Sequence, residues 1–432
     1  MAAGLRGHAV TVSMMAAETT HPEDVWALAL RNLVAGGHPT SDTITAVESL
    51  ARAYGRDVRV VPSWSSFTLV DAADRLLRIV DVAPLGVNMA AVTATLATMD
   101  AAASAPHPPP PADLAARLTA DAARPPYPTW LFALAAATGA TALAVIFGAV
   151  RPSTYLFVPV AAALGAVLRR FLGRRGVGLI GQAFGAALIG GLAGALSVQL
   201  DLTSPARLVA VCPAMVLVPG PHLLNATLDL AARRMTMGLG RLAYGSLIVL
   251  AICAGLLLGL APGGDLPVTA AGLSVALWLD VPAAMVAAAS YPIYFSLNAR
   301  LIIWPVLVGG LAHAMRWFVV TDAGWGVVAG GFVACLIAGA LLGPVARRHG
   351  ASFAGVGFAA VVALVPGVYV FRGVSGLLDL TVAATADTTT AVAGDLSAGG
   401  LTLVAMAIGL VAGQALTAAL RPLTRVEVRG GR

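Results

Sequence analysis

From Trp130 onward, apolar stretches of about twenty residues follow one another with only short polar interruptions. A stretch of this length and apolarity is what a helix needs to cross the hydrocarbon core of a bilayer. Charged residues make up 11% of the chain, whereas soluble proteins carry roughly 25%. The sequence therefore predicts a membrane protein with an all-α transmembrane domain.

The apolar stretches predict ten transmembrane helices in two groups of five, which occupy residues 130–262 and 267–420. The sixth helix has the least certain start, because the apolar region before it runs back to Pro267 and contains Asp280. The predicted spans are 130–150, 153–168, 177–199, 207–228, 241–261, 276–298, 301–318, 324–344, 353–372 and 399–420.

The residues before the first span have a different character. Two short amphipathic helical patterns are followed by three β-like runs and a further helical pattern, which together predict a small soluble α/β domain in the cytoplasm. A Pro-rich segment, APHPPPP, then predicts a stiff spacer. The predicted boundaries are a disordered N-terminus at 1–21, the α/β domain at 22–104, a linker with a polar helix at 105–129, and a cytoplasmic tail at 421–432.

Positive charge is distributed unevenly along the chain. Residues 1–125 hold 9 Arg and 12 acidic residues, whereas residues 126–432 hold 18 Arg and 9 acidic residues. With a cytoplasmic N-terminus, 14 of these 18 arginines fall on the cytoplasmic side of the predicted spans and 4 on the other. This asymmetry follows the positive-inside rule and predicts that both termini are cytoplasmic, in a bacterial inner membrane. Because the membrane topology accounts for the excess of arginines over acidic residues, the net positive charge does not indicate nucleic-acid binding.

Two matching segments interrupt the predicted spans. The first, VLVPGPHLLNATLDL, covers 216–230, and the second, ALVPGVYVFRGVSGLLDL, covers 363–380. Proline removes a backbone donor and clashes with the preceding turn, and glycine lets the chain bend. Each segment therefore predicts a helix that is broken inside the membrane.

The two segments belong to a longer internal repeat. Phe147 precedes Pro219 by 72 residues, and Phe295 precedes Pro366 by 71. Proline and glycine are common in membrane helices, so either break alone is weak support, but their matched positions indicate a repeat. Because each copy has an odd number of spans, the second copy enters from the opposite side. Inverted repeats with paired broken helices are typical of secondary transporters.

Four stretches carry a resemblance to a known family. They are AGGHPTSDTITAVESLARAYG (35–55), PAMVLVPGPHLLNATLDLAARRMTMGLGR (213–241), FSLNARLIIWPVLVGGLAH (295–313) and ALVPGVYVFRG (363–373). The chain resembles the threonine/serine exporter family, which joins a soluble N-terminal domain to ten spans in two related halves. The resemblance implies export of small hydroxy amino acids driven by the proton gradient. Elsewhere the two parts of the family occur as separate subunits, and some of these pairs are linked to dicarboxylate export. The resemblance therefore implies small dicarboxylates such as succinate as the alternative substrates.

The breaks supply the candidate substrate-binding residues. A helix that begins after Gly220 or Gly367 would present free N–H groups, which attract a carboxylate. Asn225 and His222 follow the first break, although either side chain could instead satisfy neighbouring backbone groups. The candidates are Pro219, Gly220, Pro221, His222, Asn225, Pro366 and Gly367.

Ionisable residues at membrane depth supply the candidates for proton coupling. Asp229 could alternatively pair with Arg233, His313 could bond a carbonyl, and Asp280 could merely start the sixth helix. Polar residues of the third and sixth spans are predicted to line a cavity: Gln182, Tyr291, Tyr294, Ser296 and Asn298. The proton-coupling candidates are Asp229, His313, Asp280 and Asp379.

Two other functions were weighed. A membrane-anchored hydrolase would need His38 with Ser41, Ser63, Ser65 or Ser66, but the chain lacks a G-x-S-x-G elbow, a Walker loop and an HExxH motif. A passive channel is the other alternative. No cofactor, metal or catalytic residue is predicted, and the three cysteines are read as small apolar residues. The predicted partners are threonine or serine, protons and the lipid bilayer; a homo-oligomer is left open.

Overall fold

The structure is a computed structural model that describes residues 21–83, 86–200, 206–263, 275–382 and 384–419. The predicted disordered N-terminus, apart from residue 21, and the predicted tail at 421–432 lie outside the described residues. The start of the sixth span before residue 275 lies outside them as well.

The N-terminal part consists of four helices and a three-stranded antiparallel sheet, in the order that the sequence predicts. The strands pair in the order β1-β2-β3, with Val60 opposite Leu69 and Phe67 opposite Val80. Alternate side chains of the strands point to a core that includes Phe67, Leu69 and Trp26. The elements are α1 (Pro22–Ala35), α2 (Thr40–Ala53), β1 (Val58–Pro62), β2 (Ser66–Asp71), β3 (Leu76–Asp81), α3 (Met89–Ser104) and α4 (Pro111–Ala122).

The prediction of a separate soluble domain at 22–104 is not supported. The chain is helical from Pro22, and its N-terminal part shares its core with the apolar helices. Met237 from those helices belongs to the N-terminal hydrophobic cluster, whereas Met89 of α3 belongs to the cluster of the apolar helices. The backbone N–H of Met89 also donates to the carbonyl of Phe295 at 3.0 Å. The two parts therefore pack as one continuous structure.

The apolar helices make the chain a multi-pass membrane protein. In the described part of the chain, seven helices are long and apolar enough to cross a bilayer, or up to nine if each bent pair counts as one span. The helix at Leu277–Tyr294 is not among them, because Asp280, Pro282 and Pro292 dilute its apolarity, so ten spans are not confirmed. The helices are α5 (Thr129–Ile146), α6 (Thr154–Arg174), α7 (Leu179–Gln199), α8 (Ala206–Met215), α9 (Gly220–Ala231), α10 (Met235–Leu260), α11 (Leu277–Tyr294), α12 (Ile303–Trp317), α13 (Gly326–Arg348), α14 (Phe353–Val361), α15 (Gly367–Val382) and α16 (Ala386–Ala419).

Both predicted broken helices are confirmed. The chain bends by 56° between α8 and α9 and by 66° between α14 and α15. The same type of backbone hydrogen bond forms at each break. Gly220 N–H donates to Val218 O at 2.8 Å, and Gly367 N–H donates to Val365 O at 2.8 Å. An i→i+2 bond of this kind closes a tight turn around the intervening proline.

The two broken helices contact each other at their glycines. A Cβ built on Gly220 would lie 1.9 Å from the ring of Phe358 on α14, so no larger residue fits there. A Cβ built on Gly367 would lie 3.1 Å from Met215 at the end of α8. The start of the second half of each broken helix thus packs against the first half of the other.

Two further helix pairs pack through glycines that approach backbone carbonyls. Helix α10 lies on α7 and helix α16 lies on α13, and in each pair two glycines four residues apart make the contact. Small residues of this kind let helix backbones approach closely in a membrane. The glycines and the carbonyl oxygens they approach are Gly255 with Phe184, Gly259 with Leu188, Gly409 with Phe332 and Gly413 with Leu336.

The last helix differs from its predicted bounds of 399–420. Helix α16 begins at Ala386 and has 34 residues, which corresponds to about 51 Å of helix. Asp395, which precedes the predicted span, lies buried in this helix. Its Oδ2 lies 2.9 Å from Nε of Arg372 on α15. This ion pair neutralises the charge that would otherwise interrupt the helix.

The glycine contacts generate a stability prediction. In Gly413→Ala the new methyl group would meet the Leu336 carbonyl, 2.1 Å away, so we expect a lower melting temperature in detergent and a loss of about 1–3 kcal/mol from overpacking. Gly400→Ala is the matched control on the same helix, because nothing lies within 4 Å of its Cβ position. Equal melting temperatures for the two variants would contradict this account of the α13–α16 contact.

Candidate functional site

A cavity of about 590 Å³ lies beside the first break. Pro219, Pro221 and His222 line it, together with the preceding residues Leu217 and Val218. Its other lining residues come mainly from the end of α6, the start of α7, the end of α11, and the start of α5 with the segment before it. Among them Pro125, Pro126 and Arg174 are exposed, so the cavity opens beside the N-terminal part.

Two arginines and two aromatic rings form a stack in the cavity wall. The rings of Phe132 and Tyr294 stack at 4.2 Å between centroids. The guanidinium of Arg170 lies 4.2 Å from the Phe132 ring, and that of Arg169 lies 5.2 Å from the Tyr294 ring. Arg169 also donates to the Tyr294 hydroxyl. Cation–π contacts and this hydrogen bond fix the two guanidinium groups in place.

The cavity carries positive charge. Arg169, Arg170 and Arg174 line it, and none of the lining residues that the structure describes is acidic. Within the ranges that the structure describes, none of the three arginines makes an ion pair with a carboxylate. Guanidinium groups bind carboxylates through paired hydrogen bonds, so the cavity suits an anionic group.

The expected anion site at the helix N-terminus is not formed at the first break. Gly220 N–H donates to Val218 O, Pro221 has no N–H, and His222 N–H donates to Pro219 O at 3.1 Å. The first donors of α9 are therefore already satisfied by the turn that breaks the helix. The arginine side chains, rather than the backbone, provide the positive charge beside this break.

Among the described residues that line the cavity, His222 contributes the one imidazole. It is 3% exposed, and its Nε2 has no hydrogen-bond partner among the described residues. The ring contacts Tyr244 edge-on at 5.6 Å between centroids. A buried imidazole nitrogen without a partner can bind a hydroxyl or carboxyl group of a ligand.

Asp229 lies away from the cavity, in a buried network that joins α9 and α10 to the N-terminal part. Its Oδ2 lies 3.0 Å from Nε of Arg241 and accepts a hydrogen bond from the Thr40 hydroxyl at 2.9 Å. Nη2 of Arg241 donates to the same hydroxyl at 3.2 Å, and Arg234 lies 3.8 Å from the other carboxylate oxygen. The alternative pairing with Arg233 is wrong: Arg234 and Arg241 are the partners.

Asn225 also contacts the N-terminal part. Its Nδ2 donates to the carbonyl of Gly37 at 2.9 Å, and its Oδ1 has no partner within the described ranges. Asn225 and Asp229 are both 1% exposed, and neither lines the 590 Å³ cavity. The structure thus separates these two candidates from Pro219, Pro221 and His222.

His38 lies in the loop after α1 together with Gly37, two residues before Thr40 at the start of α2. The pKa of His38 is lowered to about 3, mainly because the imidazole is completely buried and to a smaller extent because the charge of Arg241 is nearby. The side chain is therefore neutral at physiological pH. Ser41, its expected partner in a hydrolase, instead accepts a hydrogen bond from Arg234 at 2.6 Å.

Two of the proton-coupling candidates come together in the second group of helices. Nδ1 of His313 on α12 lies 2.7 Å from Oδ2 of Asp280 on α11, and both side chains are buried. Nε2 of His313 has no partner in the described part of the chain. An imidazole that is oriented by a carboxylate and has one free nitrogen is suited to pass on a proton.

The remaining candidates lie apart from these groups. Pro366 and Gly367 lie at the second break, where the neighbouring Val365 lines an apolar cavity of about 320 Å³. Asp379 is exposed near the end of α15 and, within the described ranges, makes no ion pair. The structure does not bring these three residues to Asp280, His313 or the positive cavity.

Several residues at the cavity and at the interface have contacts that the sequence does not predict. Arg169, Arg170 and Arg174 were counted only as a topology signal. Gly37 and Thr40 were part of a quoted motif without a role of their own. Tyr294, Ser296 and Gln182 do line the cavity, as predicted, whereas Tyr291 donates to the carbonyl of Met215 at 3.0 Å and Asn298 lines a separate cavity.

The neutral, buried His38 generates a prediction about pH. An unfolded chain protonates this imidazole near pH 6.5, but the folded chain does so only near pH 3. Stability is therefore lost as pH falls below the unfolded value, by up to about 1.4 kcal/mol per pH unit. We expect the melting temperature of His38→Gln to fall less between about pH 7 and about pH 5 than that of the wild type. His107→Gln, at an exposed histidine, should behave as the wild type; equal slopes for all three proteins would contradict the prediction.

Comparison with known families covers both parts of the chain. One family model, described as "Putative threonine/serine exporter", matches residues 25–262, which is more than half of the 432 residues. A second, described as "Threonine/Serine exporter, ThrE", matches residues 280–416. No curated protein and no solved structure matches the chain. The chain therefore belongs to the threonine/serine exporter family, which is a family of export transporters and not of enzymes.

Proposed function

We propose that this protein is a secondary active exporter of small hydroxy amino acids, threonine and serine, that works by alternating access and is driven by the proton gradient. The observation that carries the proposal is the pair of crossing broken helices, one of which borders a positively charged cavity. Broken helices that meet between two related halves are where secondary transporters bind their substrates. Membership of an exporter family supports the same conclusion.

Alternating access can be achieved by two inverted repeats that move against each other, and two observations support such repeats. Helices α5 and α11 pack antiparallel: Phe132 near the start of α5 stacks on Tyr294 at the end of α11, and Thr138 Oγ1 lies 3.0 Å from Ser290 Oγ. The α7–α10 glycine contacts also recur in α13–α16. Phe184 and Phe332 differ by 148 positions (332 − 184), and so do Leu188 and Leu336 (336 − 188).

The substrate lies in the cavity beside the first break. Its carboxylate binds Arg169 and Arg170, whose guanidinium groups are oriented by Tyr294 and Phe132. Its hydroxyl group bonds the unpaired Nε2 of His222. The cavity of about 590 Å³ holds an amino acid together with water.

A dicarboxylate exporter is the second candidate, and the charge of the cavity favours it. Three arginines without an acidic lining residue balance two carboxylates better than one. A zwitterionic amino acid would have to place its ammonium group on carbonyl oxygens or aromatic faces. Competition between the two substrate classes therefore decides between the two proposals.

Proton coupling is assigned to the Asp280–His313 pair. Arg316 lies one turn after His313 and interacts electrostatically with Asp280 and with Tyr369. Asp229 is less suited to exchange a proton, because Arg241 neutralises it inside a fully buried network. The preponderance of arginines on one side of the spans supports a bacterial inner-membrane location with a cytoplasmic N-terminus.

Reconstituted protein in proteoliposomes tests the proposal. We expect labelled threonine to exchange with internal unlabelled threonine, with serine as a strong competitor and succinate as a weak one. An imposed proton gradient should drive accumulation of threonine, and an uncoupler should abolish that accumulation. Flux that ignores both the internal substrate and the uncoupler indicates a channel, and preferential competition by succinate indicates the dicarboxylate exporter.

The same assay includes an arm that isolates proton coupling. Exchange of substrate needs no net proton movement, whereas accumulation does. Asp280→Asn should therefore retain exchange but lose gradient-driven accumulation, because the amide cannot carry a proton between the two sides. Asp379→Asn is the matched control at an exposed carboxylate and should retain both activities. Loss of accumulation in the control alone would move the coupling site to α15.

The arginine stack generates a separate prediction. In Arg170→Gln the cavity loses a charge-assisted hydrogen-bond donor, so we expect the KM for threonine to rise by about tenfold or more. Arg175→Gln is the matched control, since Arg175 lies on the Phe171 ring at 4.7 Å and does not line the cavity. An unchanged KM in Arg170→Gln, with normal membrane insertion, would place the substrate carboxylate elsewhere.

A further inference from the structure

We propose that residues 36–41, which form the loop after α1 and the first two residues of α2 and are named here the N-terminal finger, position the first broken helix and thereby set the place of His222 in the cavity. Thr40 is its central positioning residue. This inference rests on the proposed function only for its transport readout, because the geometry of the finger is independent of the substrate.

The finger contacts α9 through a continuous set of buried polar groups. The carbonyl of Gly37 accepts from Asn225 at 2.9 Å, and the Thr40 hydroxyl donates to Asp229 at 2.9 Å. Thr40 is 2% exposed, and Asn225 and Asp229 are each 1% exposed. Hydrogen bonds to buried groups of this kind are strongly directional, and a lost partner leaves the other group unsatisfied.

These contacts all lie on the face of α9 that also carries His222. His222, Asn225 and Asp229 are separated by three and four residues, which places their side chains along one side of the helix. The finger binds the two later residues, and the cavity receives the first. A rotation of α9 that broke the finger contacts would therefore also turn His222 away from the cavity.

Few other polar contacts fix the rotation of α9. Its start is a proline turn with a bend of 56°, so the backbone of α8 constrains it weakly. On its other side Gly220 packs on Phe358, and Leu223 and Leu224 line the apolar cavity. Apolar packing tolerates small rotations, whereas the Thr40–Asp229–Arg241 network has one geometry.

Thr40→Val tests the inference, because it removes the hydroxyl with little change in shape. We expect the KM for threonine to rise by about tenfold, from the loss of a hydrogen bond to a charged group, while the maximal rate changes little. Thr43→Val is the matched control: Thr43 is equally buried on α2, but its hydroxyl donates to Pro39 O at 3.0 Å within the N-terminal part. Equal effects of the two substitutions would mean that Thr40 only stabilises the fold and would overturn the proposal.

A double variant shows whether Thr40 acts through His222. In a His222→Gln background the further substitution Thr40→Val should leave the KM almost unchanged, since the group it positions is absent. If the two effects instead multiply, Thr40 does not act through His222 and the proposal fails.

A chemical readout makes the outcome independent of transport. Diethylpyrocarbonate modifies histidine nitrogens, and mass spectrometry measures the modified fraction at residue 222 in the full-length protein. We expect modification at His222 to fall several-fold in Thr40→Val and to stay unchanged in Thr43→Val. If threonine is not transported but this difference appears, the proposed function fails and the positioning role stands. An unchanged modification rate in Thr40→Val overturns the positioning role whatever the substrate is.

Discussion

The contact between the two broken helices is the constraint on which the rest of the membrane part depends. Gly220 and Phe358 approach so closely that no side chain fits between them. This contact holds α9 against α14, and the proline turns let each broken helix change direction there. The positive cavity and an apolar cavity are both lined by residues of the first break.

The N-terminal part is built into this arrangement rather than attached to it. Trp64, between β1 and β2, packs against Gly240 on α10, where a Cβ would lie 2.6 Å from its ring. Tyr127 bonds Ser296 and Leu297 after α11, each at 3.0 Å. Together with the finger, these contacts reach the ends of helices from both groups. A conformational change of the membrane helices therefore has to move or release the N-terminal part.

The sequence predicted the secondary-structure elements of this fold better than the contacts between them. The three strands, the helices and both breaks follow from local patterns, because periodicity and proline chemistry act within a few residues. The pairing of Asp229 with Arg241 joins residues twelve apart on two helices, and no local pattern specifies it. The Arg169–Tyr294 contact and the finger join residues more than a hundred positions apart. The sequence also gave no reason to place Arg169, Arg170 and Arg174 at a binding site. Basic residues at the cytoplasmic ends of membrane spans are already expected from the positive-inside rule.

The two breaks share a backbone turn but differ in what surrounds it. The matched bonds at Gly220 and Gly367 make the bends alike, whereas only the first break is followed by a second proline, a histidine and an asparagine. Correspondingly, the first break borders the arginines and the second contributes Val365 to an apolar cavity. Duplicated backbone geometry thus gives the two breaks the same turn, and divergent side chains place the arginines and the imidazole beside the first. Under the proposed function a small ligand needs only one polar site, which leaves the second break to packing and motion.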